Sequence, residues 1–484
     1  MTATFSDPVS DPAPAPADHI GWRRLEHRLH GRLFLPEDDG YDLVRRAWNL
    51  RAQHRPAGVV VAENSEDVRR SVEFATRHGL GAGVMATGHG TGTPCDQGGL
   101  LINTSRLRRI DVRAGSRSAL VAAGARWQQV IDAAAPHGLA GLAGSSPGTG
   151  VVGYSLGGGF GWLGRKFGLA SGSLTHAEII TAGGERQHVS ADQQPELWWG
   201  LRGGTGNFGI VTGLGFRLHQ VARVYAGNLY YPLDRAADVL AFFAQWTRGV
   251  PDDLTAAATF RSFPPLPTIP AQLRGKSFVA VRGCWSGHPA EGAAVINQAR
   301  ATLGAAAVDT FATMPTAALA QVSMDPVDPL PAANHSDLLT DLTDESICTL
   351  LDLAGAAARS PLVMLEIRHL GGALTSRPDE LSPMAHSTAR FSLNAIGITA
   401  TPEQDRAVRD HLARVAREIR PFVTGANYVN FLDADGATPE RVAAAYSARD
   451  LRRLHRLKLR VDPTDTFRFN RNIPAPTSWN EESP

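Results

Sequence analysis

Gly144-Ser-Ser-Pro-Gly-Thr-Gly-Val-Val-Gly-Tyr-Ser-Leu-Gly-Gly-Gly-Phe-Gly161 decides how the rest of the chain is read. Glycine recurs through it with no helical or strand period, so the backbone itself matters here. Two well-known patterns lie inside it, and both fail on context. Gly148-Thr-Gly150-Val-Val-Gly153 is a literal G-x-G-x-x-G, but Ser145-Ser146-Pro147 stands where a dinucleotide fold needs an apolar strand. Leu169 to Thr175, about 20 residues on, holds no acid for a ribose. Gly153-Tyr-Ser155-Leu-Gly157 is a literal G-x-S-x-G, but only Val151 and Val152 precede the serine, and Gly157-Gly158-Gly159 breaks the helix a nucleophile elbow requires.

Two further glycine-dense stretches flank this one. Met85-Ala-Thr-Gly-His-Gly-Thr-Gly-Thr93 directly follows a strand-like run. Its glycines let the main chain pass close to a bulky planar or anionic ligand, with bare N–H groups and the His89 imidazole at the loop tip. Glu196-Leu-Trp-Trp-Gly-Leu-Arg-Gly-Gly-Thr-Gly-Asn-Phe-Gly-Ile-Val-Thr212 pairs two core tryptophans with a loop around Asn207 that leads into a strand. Cys95 reads as a small hydrophobe rather than a reactive thiol.

Around these motifs the texture changes twice. Residues 1–20 are rich in Pro, Ala and Asp and read as a disordered tail. Short strands and helices alternate from 56 to 135: Gly58 to Ala62 reads as a buried strand, and Asn64 or Ser65 caps a helix stopping at His78-Gly79. Beyond about 221, strand-like runs (Tyr225 to Tyr231, Ser277 to Cys284, Leu362 to Ile367, Phe391 to Ile398, Tyr428 to Phe431) are spaced by helices such as Ala236 to Thr247 and Pro402 to Ile419. This is the pattern of a second α+β unit on a largely antiparallel sheet. Its Pro-rich loops, Phe263 to Pro270 and Asp325 to Pro331, are candidate rims of a binding site.

Composition limits the partners. The 484 residues carry 48 Lys plus Arg against 47 Asp plus Glu, so a net charge of +1 offers no attraction to nucleic acid. The three cysteines are too few and scattered for a disulfide framework or a Cys-rich zinc site, and no metal is expected. The longest apolar runs fall short of the ~18 residues a membrane span needs. The expectation is a cytoplasmic protein with no membrane partner; its oligomeric state is not legible.

Taken together, the motifs resemble the FAD-linked oxidases of the vanillyl-alcohol oxidase and p-cresol methylhydroxylase (PCMH) superfamily, and most closely the berberine-bridge-enzyme-like branch that includes 6-hydroxynicotine oxidases. The resemblance runs from about Leu33 to Val221 and returns from Tyr446 through Arg460-Val461-Asp462-Pro463 to Asn472-Ile473-Pro474. It implies an α+β fold: a two-lobed PCMH-type FAD-binding domain over 21–220, a substrate-binding domain over 221–435 inserted before the end, and a returning segment over 436–484.

The resemblance also implies roles. His89 occupies the position that bonds covalently to the flavin 8α-methyl, within a cradle of Thr87, Gly88, Gly90, Thr91 and Gly92. Ser146, Pro147, Thr149, Gly150, Gly153, Tyr154, Gly157, Gly158 and Gly161 form the second cofactor loop, Gly209, Ile210 and Val211 the third, and Asn470 and Asn472 donate to the pyrimidine edge. Many relatives make a second flavin bond through a cysteine where Ser146 stands, so a single bond is expected. Thr149 stands where the family tunes oxygen access. Tyr428 is the candidate base, and Asn394 takes the place of a substrate-facing Glu or Gln as an orienting amide. Phe160 replaces a second tyrosine common in relatives. Arg165 and Lys166 read as a solvated pair, and His369 and His386 as structural or surface groups. The implied reaction is hydride removal from a C–H next to O or N of a small, secondary metabolite, with O2 reduced to peroxide. A non-redox cyclase or isomerase using the same pocket is the alternative.

Overall fold

The computed structural model describes residues 19–90, 92–375, 382–384 and 388–474. Residues 1–18, Thr91 and His386 lie outside the described residues. Three sheets of four or more strands organise the described residues. Gly58–Val61, Gly99–Asn103 and Gly81–Met85 pair in parallel, with Arg32–Phe34 antiparallel on one edge. The helix Ser65–Arg77 links two of these strands and is capped by the Asn64 side chain, which accepts from the Asp67 amide. It buries Val68, Val72 and Ala75 against them, as the i, i+4, i+7 spacing predicts.

A five-stranded antiparallel sheet follows, ordered Ile110–Arg113, Ser118–Ala122, Ile210–Arg217, Leu174–Ile180, Arg186–Ser190. Between its strands runs the glycine segment, as the short helix Val151–Leu156 followed by turns. Ser155 therefore lies inside a helix and not on an elbow, and no strand directly precedes Gly148.

The third sheet is antiparallel throughout. Val308–Asp309, Arg223–Pro232, Ser277–Trp285, Leu254–Ser262, Met364–His369, Phe391–Ile398 and Ala332–Leu339 lie in that order, and Ala312–Pro315 also pairs with Arg223–Pro232. Side chains alternate with period two along these strands. Leu365, Ile367, Leu393 and Ala395 bury against the helices Ala236–Trp246, Asp344–Ala354 and Pro402–Ile419. The opposite face carries Glu366, Arg368, Ser392, Asn394 and Arg282, and this face meets the glycine segment. The strands Leu254–Ser262 and Ala332–Leu339 were not legible in the sequence, because apolar and polar positions do not alternate cleanly in either. Tyr428 to Phe431 is not a strand: Val429–Phe431 is a single 3-10 turn whose chain turns back toward the glycine segment. No helix among the described residues is long and apolar enough to cross a membrane.

Candidate active site

His89 stands at the end of the loop after Gly81–Met85. Its Nδ1 lies 3.0 Å from Thr87 Oγ1, and its ring stacks on Trp48 at 4.4 Å and 13°. Burial, aided by Arg126, pushes its pKa down to about 4, so the imidazole is neutral and nucleophilic near pH 7. A Cβ on Gly148 would lie 3.7 Å from His89 Nε2, which sets the second loop against the ring. The loop of Ser146, Pro147, Thr149 and Gly150 is pinned through its carbonyls: Pro147 accepts from Gln128 N at 2.7 Å and Thr149 from Trp127 N at 3.0 Å.

The returning segment closes the first loop. Thr93 N donates to Asn470 O at 3.0 Å, and a Cβ on Gly92 would lie 2.7 Å from Arg471 N. Arg471, almost fully buried, donates to Leu432 O at 2.8 Å and to Gly90 O at 3.5 Å. Asn207 is fully buried; its amide donates to Gly204 O and Arg471 O and accepts from Ile473 N. Thus the third loop holds the C-terminal segment against the first. At the end of the third loop the side chains of Ile210 and Val211 are buried in two protein cores. Asn470 and Asn472 differ from expectation. Their amide groups donate to Phe467 O and Asp465 Oδ2, and it is their carbonyl oxygens that remain buried without a partner.

Tyr428 meets the glycine segment from the other side. Its hydroxyl accepts from Phe160 N at 3.1 Å and from the Asn430 amide at 3.4 Å, and Asn430 also donates to Tyr154 O at 2.8 Å. A Cβ on Gly157 would overlap the Asn430 side chain, and one on Gly161 would overlap Ala143 O, so both glycines are required for close approach. Gly158 lies against Tyr428, whereas Gly153 has open space around it. Tyr154 packs edge-on to Trp127, with its hydroxyl buried and unpartnered. Burial pushes Tyr428 up to about 12, although the Asn430, Gly159 and Phe160 donors and Arg368 all favour its ionised form. It is therefore a protonated phenol at neutral pH, not a base already primed.

The polar sheet face completes the site. Asn394 is half-buried and accepts from Asn334 at 3.4 Å, and Asn334 donates to Phe431 O at 2.7 Å, tying this face to the Tyr428 turn. Beside Asn394 in register lies Glu366. Its carboxylate bridges Arg282 and Arg368, each at 2.7 Å, with all three side chains buried. Arg368 covers the rings of Trp162 and Phe160 at 4.6 and 5.4 Å. None of this triad was singled out in the sequence, since residues 282 and 366–368 come together only through strand pairing. Arg165 is not solvated. It is buried and donates to Leu370 O, Pro251 O and Leu254 O, clamping the glycine segment to the third sheet, while exposed Lys166 pairs with Asp253. His369 is buried, as a structural group would be.

The donor set suits a large, flat, anionic cofactor. The amides of Gly88, His89 and Gly90 and of Ser145, Ser146 and Gly148 donate to no acceptor among the described residues. Tyr154 Oη, Asn470 Oδ1 and Asn472 Oδ1 are likewise buried without partners. The comparisons decide which cofactor this is. Residues 56–190 match the family model of an FAD binding domain, and residues 427–474 match that described as berberine and berberine like. The chain thus carries both the FAD binding domain and the berberine-like segment found in FAD-linked oxidoreductases. Over 452 residues it is 27% identical to an FAD-linked oxidoreductase of Dictyostelium discoideum, an alignment covering 92% of this chain and 95% of that one. It is 32% identical to (R)-6-hydroxynicotine oxidase of Paenarthrobacter nicotinovorans over 196 residues, 40% of this chain and 43% of the relative. Its fold matches the crystal structure of 6-hydroxy-D-nicotine oxidase from Arthrobacter nicotinovorans with a TM-score of 0.81 at 22% identity, over 93% of this chain and 98% of that one.

Proposed function

We propose that the enzyme oxidises a small hydroxylated or amine-bearing metabolite and passes the electrons to O2. FAD, when bound, supplies a two-electron acceptor that takes the substrate C–H as hydride and is returned to its oxidised state by O2, which leaves as hydrogen peroxide. The observation that carries this reading is the meeting of the His89 loop, the Tyr428 turn and the polar sheet face, tied together by Arg471 and Asn334. Two oxidases among the relatives, of 6-hydroxynicotine and of chitooligosaccharides, support O2 as acceptor.

In this reading His89 makes the single covalent bond to the cofactor, with Thr87 fixing its tautomer. The NH2 group of Asn394, whose oxygen is taken by Asn334, donates to the heteroatom of the substrate. Tyr428 receives the O–H or N–H proton once it has lost its own. Two donors on its oxygen and the net positive charge of Arg282, Glu366 and Arg368 favour negative charge at that end of the site. Anaerobic mixing with a library of small alcohols and amines tests the proposal. An oxidised substrate bleaches the flavin absorbance, and admitted air restores it with peroxide release. Conversion of a substrate without bleaching would refute it.

A further inference from the structure

Trp48 comes from a segment that no motif marks, yet it touches the most reactive side chain in the site. Its indole lies almost parallel to the His89 imidazole, at 4.4 Å and 13°. That stack covers one face of the imidazole. Thr87 occupies Nδ1, so the Nε2 edge is the part that faces the second loop.

The indole is itself held from two sides. Trp48 N donates to Thr87 O at 3.1 Å and Asn49 N to Gly88 O at 3.2 Å. On the other side Trp48 Nε1 donates to Val327 O at 2.9 Å, and Leu330 exchanges backbone bonds with Trp48 O and Leu50 N. Asn49 pairs with Ala332 through both its side-chain oxygen and its amide, at 3.2 and 2.9 Å. Gly88, at φ +73°, allows this approach, because a Cβ there would lie 2.7 Å from Trp48 N. Residues 48–50 therefore form a strap from the His89 loop to the start of the strand Ala332–Leu339, which pairs with the strand bearing Asn394.

We propose that Trp48 is a positioning residue for the attachment of FAD to His89, and that Val327 and Leu330 hold it there. The proposal rests on the covalent reading of His89. In the attachment a C–N bond forms between imidazole and the 8α-carbon. One methyl C–H and the imidazole N–H break, two electrons and two protons pass to the ring, and O2 removes them as peroxide. A nucleophile of one fixed plane reaches that carbon often; a ring free to rotate does so seldom.

The test follows flavin attachment after FAD is added to protein produced under riboflavin limitation, for the wild type, Trp48→Ala and Trp48→Phe. Flavin that stays with acid-precipitated protein measures the bond, and total bound flavin and melting temperature measure cofactor binding and folding. Attachment in Trp48→Ala is expected to slow by about a hundredfold, with total bound flavin retained. Trp48→Phe, which still stacks, is expected to stay within about tenfold of the wild type. Attachment in Trp48→Ala at the wild-type rate overturns the proposal. Equal loss of bound flavin and of melting temperature in both variants also overturns it, by making Trp48 a packing residue only. If acid releases flavin from the wild type, the His89 reading fails and this one with it, a result distinct from acid-stable flavin in all three proteins.

Discussion

The backbone amide of Phe160 donates to the hydroxyl of Tyr428 at 3.1 Å, and the two rings lie 4.9 Å apart. This contact joins the glycine segment to the chain returning from the third sheet. It also fixes what Tyr428 can do: with its oxygen accepting from Phe160 and Asn430, its proton is left to donate. Because burial holds the phenol at about 12, proton acceptance from substrate is expected to be limited by ionisation. Substrate-dependent flavin reduction in rapid-mixing experiments should rise with pH from 7 to 10 without a plateau. Tyr428→Phe should lower the rate at least about a hundredfold and remove that rise, while leaving the flavin bound.

His89→Ala is expected to bind FAD that acid then releases, whereas acid-precipitated wild type should retain yellow colour and in-gel fluorescence. A replacement that leaves the flavin acid-stable would place the bond elsewhere.

Stability should fall as the pH drops below neutrality. Burial pushes His54 down to about 4, where its Nδ1 accepts from Cys95 N at 2.9 Å, and pushes His369 down to about 3. The unfolded chain takes up these protons near pH 6.5, the folded chain only near 3 to 4. Between those values the unfolded state binds more protons, so stability is lost as pH falls through the window. Melting temperature should decline from pH 7 to 5. His54→Asn, which keeps an acceptor for Cys95 N without titrating, should flatten the decline.

Lys458 and Asp462 form a fully buried pair at 2.7 Å, and Asp462 also accepts from Thr466 N and Phe467 N. Lys458→Met strands a buried carboxylate and should cost about 3–5 kcal/mol in denaturant unfolding. Lys458→Met combined with Asp462→Asn should recover part of that loss.

Sequence alone determined the places where backbone must approach closely. At Gly88, Gly157 and Gly161 any side chain meets Ala47, Asn430 or Ala143, so the constraint is written in the residue itself. The helix Ser65–Arg77 and the alternation in Phe391–Ile398 were equally legible, because cap, period and breaker are all local. Tertiary structure decided what those loops face. Trp48 reaches His89, Arg282 meets Glu366 and Arg368, and Arg471 spans the first loop and the Tyr428 turn only after strand pairing brings together segments tens to hundreds of residues apart. Arg165 shows why such outcomes escape a linear reading: beside an exposed lysine it resembles a surface charge, and only carbonyls from two distant segments, together with the Asp252 carboxylate at 2.9 Å, make its burial tolerable.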